Sequence, residues 1–409
     1  MVRQVKILIV NKYLYPNGGS ETYIINLSKE LVMQGHEVEY FGMQNERNIL
    51  GNTSESYTKN MDFHNTSHMS INPFKILYSL EARKKIRKVL DAFRPDAVLL
   101  NNFNYQITPS ILYEIVRDKL PVIYTAHDYQ LICPNHMLYD LKKGTVCEAC
   151  RGASYVHCLM KKCVHGSLLK SALGMLEAYL YKSLHTYRYL DRIICPSSFI
   201  ENKLNWNKDL RGKTIVMHNF IDQPPPKETE KEDYVLYFGR YSKEKGIGKL
   251  IRVCRELPEI NFVFAGQGPL KGELDNIPNI KEVGFKTRDE LEDIIRKARF
   301  TLYPSEWYEN CPFSVMESLT YGTPVIGADT GGIPELIDNG GNGYLFDSGN
   351  IKDLKDRIIM LWNNKELCNE LSRNCRHTGF DSANGYGGKL IRLFEQLITA
   401  KACKEPQET

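Results

Sequence analysis

Two α/β domains, each a doubly wound parallel sheet, with a cleft between them, are predicted by three features of the sequence. The chain has 409 residues, too many for one core and suited to two domains. Short runs that are apolar on both faces alternate with amphipathic stretches, the pattern of parallel strands covered by helices. A stiff, solvated stretch, "DQPPPKETEKED" at 222–233, separates two series of such runs.

In the first series, "VKILIV" precedes "SETYIINLSKELVMQGH", and "AVLL" at 97–100 follows "FKILYSLEARKKIRKVLDAF". "PVIYTAH" (121–127), "RIICPSS" (192–198) and "TIVMHNF" (214–220) continue it. The second series reads "YVLYFGR" (234–240), "NFVFAGQG" (261–268), "RFTLYPS" (299–305) and "TPVIGAD" (323–329). The expected division is 1–222, with a Cys-rich insertion at about 133–166, then 223–384, then a terminal helix and tail at 385–409 that can pack on either domain.

Composition narrows the function. A formal charge of +4 is too small for a dedicated nucleic-acid binder. No run approaches the length of a membrane span, and the N-terminal apolar run is too short for a signal-peptide core. A cytoplasmic protein with reduced cysteines is therefore expected.

In doubly wound sheets ligands bind beyond the carboxyl ends of the strands. The loops there carry the candidates. "YPNGGSET" offers Gly18 and Gly19 for close backbone approach, with Ser20 as a helix cap. A plain capped turn explains it equally. "AHDYQLICP" sets His127 and Asp128 at a strand end, as structural or as functional residues. "GRYSKEKGIGKL" flanks a tight turn with Arg240 and Lys245, two cations beside a helix N-terminus, which suits a diphosphate. "AGQGPL" places Gly266 and Gly268 after another strand.

"EWYENCPFSVMESLTYGTPVIG" (306–327) carries the sharpest signal. Asn310 is the expected N-cap and Pro312 fits a first helical turn. Glu309 then stands just outside the helix and Glu317 within it. Backbone N–H groups of Cys311 and Phe313, on either side of Pro312, lie between the two carboxylates. Two acids that bind hydroxyls on either side of an anion site match a sugar, a diphosphate and a ribose. Two surface glutamates at a positive helix end are the bland alternative.

These motifs, in this order, resemble the family 4 retaining glycosyltransferases of the GT-B fold. The resemblance covers most of the second domain and scattered points of the first, "GGSE" and "AHD". It implies that Glu317 binds ribose hydroxyls, Glu309 the donor sugar, and Arg240 and Lys245 the diphosphate. It implies that Gly18, Gly19, Gly266, Gly268 and residues 310–313 line the donor site, and that His127 contacts the sugar near the reaction centre. The chain has no D-x-D pair, so the two cations and the helix N–H groups are expected to serve the leaving phosphate without a catalytic metal. A UDP-sugar donor and a saccharide or lipid-linked acceptor are the partners implied.

"CEACRGASYVHCLMKKC" places Cys147, Cys150, Cys158 and Cys163 within 17 residues. A pair two apart followed by two further thiols suits structural zinc, with Cys133, His157 and His165 nearby. Four reduced cysteines or an iron–sulfur cluster are the alternatives. The resemblance extends to polysaccharide-pathway members with a Cys-rich insertion. Basic residues crowd 82–94 and 142–192. Basic amphipathic segments can rest on an anionic membrane, though a solvated helix face explains 82–94 more simply. A zinc-stabilised nucleic-acid or protein-binding module and a GT-B nucleotide-sugar epimerase are the competing functions.

Overall fold

The computed structural model describes residues 3–60, 73–225, 227 and 229–403. Strands β1 (Lys6–Val10), β2 (Glu37–Phe41), β3 (Ala97–Leu100), β4 (Val122–Thr125), β7 (Arg192–Cys195) and β8 (Thr214–Val216) form one parallel sheet, ordered β2-β1-β3-β4-β7-β8. A two-stranded hairpin, β5 (Tyr139–Asp140) and β6 (Thr145–Val146), interrupts the series. A second parallel sheet holds β9 (Val235–Arg240), β10 (Phe262–Gln267), β11 (Ile280–Gly284), β12 (Phe300–Tyr303), β13 (Val325–Asp329) and β14 (Gly343–Asp347), ordered β11-β10-β9-β12-β13-β14.

Both strand orders reverse once, between β1 and β3 and between β9 and β12. The loops leaving those strands diverge there and open a crevice. All four residues of β3 and of β4 are buried, as expected for strands covered on both faces.

Helices α1 (Gly19–Met33), α2 (Pro73–Leu77), α3 (Leu80–Phe93), α4 (Leu112–Arg117), α5 (Val156–Lys161), α6 (Leu168–Ser183) and α7 (Ser198–Leu204) accompany the first sheet. Ser79 separates α2 from α3, accepting a hydrogen bond from the Ala82 N–H to cap α3. In α3, Arg83 pairs with Glu114, and Arg87 with Asp91 and Asp118. Ile86, Val89 and Leu90 on the same helix are buried. That helix packs inward by its apolar stripe and spends two of its cations on neighbours.

The second sheet carries α8 (Ile247–Glu256), α9 (Arg288–Lys297), α10 (Phe313–Thr320), α11 (Ile351–Asn363) and α12 (Lys365–Cys375). The last helix, α13 (Ala383–Ala402), crosses back to the first domain. Its Tyr386, Leu390, Ile391 and Phe394 enter the core formed by Tyr23, Ile24, Leu27 and Leu31 of α1. Tyr386 and Tyr23 share a hydroxyl hydrogen bond of 2.9 Å, and Lys401 reaches Asp191 at 2.7 Å. Among the described residues no helix is long and apolar enough to cross a membrane.

Candidate functional site

The cleft at the two switch points contains two adjoining cavities of about 470 and 940 Å³. Ser314 and Glu317 of α10 line both. His127, Lys245, Glu309, residues 310–313 and Gly19 line the smaller one, while Arg240, Gly266 and Gly268 line the larger. The two cations read as a pair thus serve different compartments. Gly18 lines neither cavity.

The loop from β12 to α10 sets the acids. Helix α10 begins at Phe313, after an extended Pro312 whose side chain makes no cap hydrogen bond. Asn310 is therefore not the N-cap. Its Nδ2 instead donates to the His127 carbonyl of the other domain, 2.6 Å away. A tertiary partner outcompetes the local cap. The N–H groups that open α10 lack intrahelical partners, as at any helix start, and lie beside both cavities.

Glu309 is buried and tightly held. Its Oε1 accepts from Lys245 Nζ (2.6 Å), Trp307 Nε1 (2.6 Å) and Ser305 Oγ (2.9 Å). This carboxylate, which lines the smaller cavity, is the centre of a charge-assisted cluster. Its backbone is fixed as closely. A Cβ on Gly331 would lie 2.3 Å from the Glu309 carbonyl oxygen, and one on Gly332 would lie 1.8 Å from that of Asn310. Only glycine admits this approach. Ser305, Trp307, Gly331 and Gly332 were not singled out in the sequence. "GG" after a strand was the available signal.

Gly266 and Gly268 face the larger cavity, but their need for glycine lies elsewhere. A Cβ at Gly266 would stand 2.0 Å from the Gly239 carbonyl oxygen, and at Gly268 2.4 Å from that of Tyr241. These glycines let the β9 and β10 loops pack together. Arg240, at the exposed end of β9, has no acid or hydrogen-bond partner for its guanidinium among the described residues. Phe285, 74% exposed, and Lys286 line the same cavity from the loop after β11.

On the first domain, α1 starts at Gly19 with an extended Gly18 before it and no side-chain cap. Ser20 accordingly does not cap. It donates to Glu21 (2.9 Å) and accepts from Asn102 (3.0 Å). Gly19 faces the Phe313 ring across the cleft, with 3.7 Å between its Cβ direction and the ring.

His127 is half-buried, with Nε2 2.8 Å from Asn101 Oδ1. The Asn101 amide nitrogen turns to the Val10 carbonyl, at 3.3 Å. Oδ1 must then accept from His127, which fixes the Nε2–H tautomer and leaves Nδ1 as an acceptor. Burial lowers its pKa to about 3, so it is a neutral group. The neighbouring Asp128 is pushed up to about 6 by burial, partly offset by Lys12.

Cys147, Cys150, Cys158 and Cys163 come together in the insertion, where they and Cys133 line one small void. His157 and His165 do not line it. Among the described residues no three or more metal-ligating side chains are closed up as around a bound ion.

Residues 17–223 match the family described as "Glycosyltransferase Family 4", and 219–378 match "Glycosyl transferases group 1". An uncharacterized glycosyltransferase of Methanocaldococcus jannaschii is 30% identical over 220 residues, 52% of this chain and 60% of that one. The chain thus spans less than two thirds of that relative. A 42.6 kDa protein of the cps region of Klebsiella pneumoniae is 25% identical over 81% of this chain and 87% of its own length. In structure, sucrose-phosphate synthase of Thermosynechococcus elongatus superposes with a TM-score of 0.72 at 16% identity, covering 97% of this chain and 100% of that one. HepE of Anabaena, in complex with UDP, gives 0.64 at 16% over 98% and 100%. The two facing doubly wound domains are the GT-B fold. With that fold, and with half of its length matched by a single family, the chain belongs to glycosyltransferase family 4.

Proposed function

We propose that the protein transfers a sugar from a nucleotide-diphosphate sugar, a UDP-sugar, to a saccharide or lipid-linked acceptor, retaining the anomeric configuration, in cell-surface polysaccharide assembly. The observation that carries this reading is the shared position of Glu317. It lines both cavities, one floored by the Lys245–Glu309 pair and the other by Arg240. A diphosphate at the opening of α10 would join a sugar in the smaller cavity to a nucleoside in the larger. HepE bound to UDP and to UDP-glucose supports the donor class. A glycosyltransferase of amylovoran biosynthesis in Erwinia amylovora, 29% identical over 31% of this chain and 35% of its own, supports the pathway.

In the proposed reaction the bond from the sugar's C1 to the diphosphate oxygen breaks, and negative charge grows on that oxygen. Arg240 and the α10 N–H groups are assigned the role of donors to that oxygen, which is where such donors lower a barrier most. The acceptor hydroxyl attacks from the face the diphosphate leaves, and its proton passes to the departing phosphate oxygen. His127 Nδ1, neutral, accepts from a sugar hydroxyl, and Glu309 orients the remaining hydroxyls while Lys245 holds its charge. No D-x-D pair exists in the sequence, and the step needs no metal. The anomeric proton coupling of freshly formed product, read by NMR, tests retention. The donor's own anomeric form is expected. The opposite form would overturn the stereochemical part.

A lipid-linked acceptor would bring the protein from the cytoplasm to the membrane's inner face. The surface that supports this is α5 with the start of α6. Met160, Leu168 and Leu169 are exposed there beside Lys161, Lys162 and Lys170, and no acid occurs between Glu148 and Glu177. Cosedimentation with anionic vesicles should fall on reversing the charge of Lys162 and Lys170. Unchanged binding would remove this surface from the account.

A further inference from the structure

The insertion between β4 and β7 lacks a core of its own. From Leu141 to Ser167 only Tyr155 and Cys158 are buried. Regular structure there amounts to β6 and the single short helix α5. Yet the segment is folded into a definite shape, with tight turns at Glu148–Arg151 and Cys150–Ala153 and a left-handed Lys162. So small a body with so few buried apolar groups needs a cross-link to hold it.

The segment has the means. Cys147 and Cys150 sit on one turn, Cys158 on α5, Cys163 just beyond it, and Cys133 on the loop after β4. All five line the same void of about 10 Å³, and all are free thiols. Chance burial of small apolar residues does not require that thiols from three separate pieces of chain be the groups that meet. Cys133 Sγ donates to Asn135 Oδ1 at 2.9 Å, and Lys161 Nζ approaches Cys147 Sγ to 3.1 Å.

From this we propose that the insertion is a structural zinc site, with four of these five thiols as tetrahedral ligands. On binding, the four thiols each lose a proton, and the sulfurs close to about 2.3 Å from the ion. The site with four thiolates carries two negative charges, and Lys161 is placed to offset one of them.

The site has a consequence for the cleft. Between Cys147 and Cys150 lies Glu148, whose Oε1 accepts from the Tyr308 hydroxyl at 3.0 Å and pairs with Lys203. Tyr308 precedes Glu309, and its carbonyl accepts from Tyr129 at 3.3 Å. A metal-held turn of the first domain therefore grips the loop of the second domain that carries Glu309. Glu148 is a positioning residue, and zinc fixes the turn that presents it.

The test is elemental analysis of full-length protein purified with reductant and without chelator, joined to thiol titration and limited proteolysis. About one equivalent of zinc per chain is expected. A strong chelator should release it, expose four further thiols to a titrant, and speed cleavage within 141–167 at least tenfold. The double substitution Cys147→Ser with Cys150→Ser should lose the metal and show the same cleavage without chelator. Glu148→Gln should keep the metal while raising donor KM more than it lowers kcat. Under a tenth of an equivalent of zinc would overturn the proposal. So would fewer free thiols than cysteines after denaturation in chelator without reductant, or a metal content unmoved by the double substitution. If that variant fails to fold, zinc content and chelator response of the unaltered protein decide alone.

Discussion

Lys245 Nζ stands 2.6 Å from Glu309 Oε1, joining the turn after β9 to the loop after β12 at the second domain's switch point. The acid is buried and the lysine side chain is 22% exposed. Removing one partner of such a pair leaves a charge without its counter-charge. Lys245→Met should lower unfolding free energy by roughly 1–3 kcal/mol, read by urea denaturation. Adding Glu309→Gln should recover most of that stability and none of the activity. Recovery of both would reduce the pair to a structural one.

Arg240 offers the opposite case, an exposed guanidinium with no acid holding it among the described residues. Arg240→Ala should leave the melting temperature unchanged. Its kcat should fall by about 10²–10³, the usual effect of losing one preorganised donor to the leaving group. Steady-state kinetics within a few-fold of the unaltered protein would remove Arg240 from the transition state.

Glycine at 268 is demanded by packing. Gly268→Ala would place its Cβ 2.4 Å from the Tyr241 carbonyl oxygen. That backbone cannot yield cheaply, so a loss of roughly 1–3 kcal/mol is expected. Gly248, near the start of α8, has nothing among the described residues within 4 Å of its Cβ position. Gly248→Ala should instead add up to about 1 kcal/mol. Thermal melts of the two variants should move in opposite directions.

Glu177 on α6 is 2% exposed, and its Oε1 has no hydrogen-bond partner among the described residues. Burial raises its pKa from 4.5 to about 8. Between those values the folded chain holds a proton that the unfolded chain has released. Stability must therefore fall as pH rises across that window, by about 1.4 kcal/mol per unit from this group. Glu177→Gln removes the loss. Its advantage over the unaltered protein in thermal melts should grow from pH 4.5 to 8 and then level. A constant difference across the range would place the proton elsewhere.

Central strands such as "AVLL" and "YVLYFGR" were legible because both faces are buried. Of the edge strands only β8, within "TIVMHNF", was read. "EVEYF" of β2 and "IKEVG" of β11 lie at sheet margins, half-exposed, and their charges hide the period. The candidate acids and cations could be found from strand-end loops, since topology sends those loops to one crevice. Their partners could not. Asn310 has the right chemistry for a cap, and only the folded chain shows that the His127 carbonyl claims it. The grip of Trp307 and Ser305 on Glu309 follows no spacing rule, and Glu148 meets Tyr308 across 160 residues of sequence.

On the proposed function, a nucleotide-diphosphate sugar binds in this cleft against α10. Thermal stabilisation by UDP-, GDP-, ADP- and TDP-sugars without added metal, beside Glu317→Gln, tests it most directly. A rise in melting temperature with UDP-sugars is expected, and its loss in Glu317→Gln, each measured against the same protein without ligand. No rise with any of the four in folded protein, or an equal rise in the variant, would contradict it.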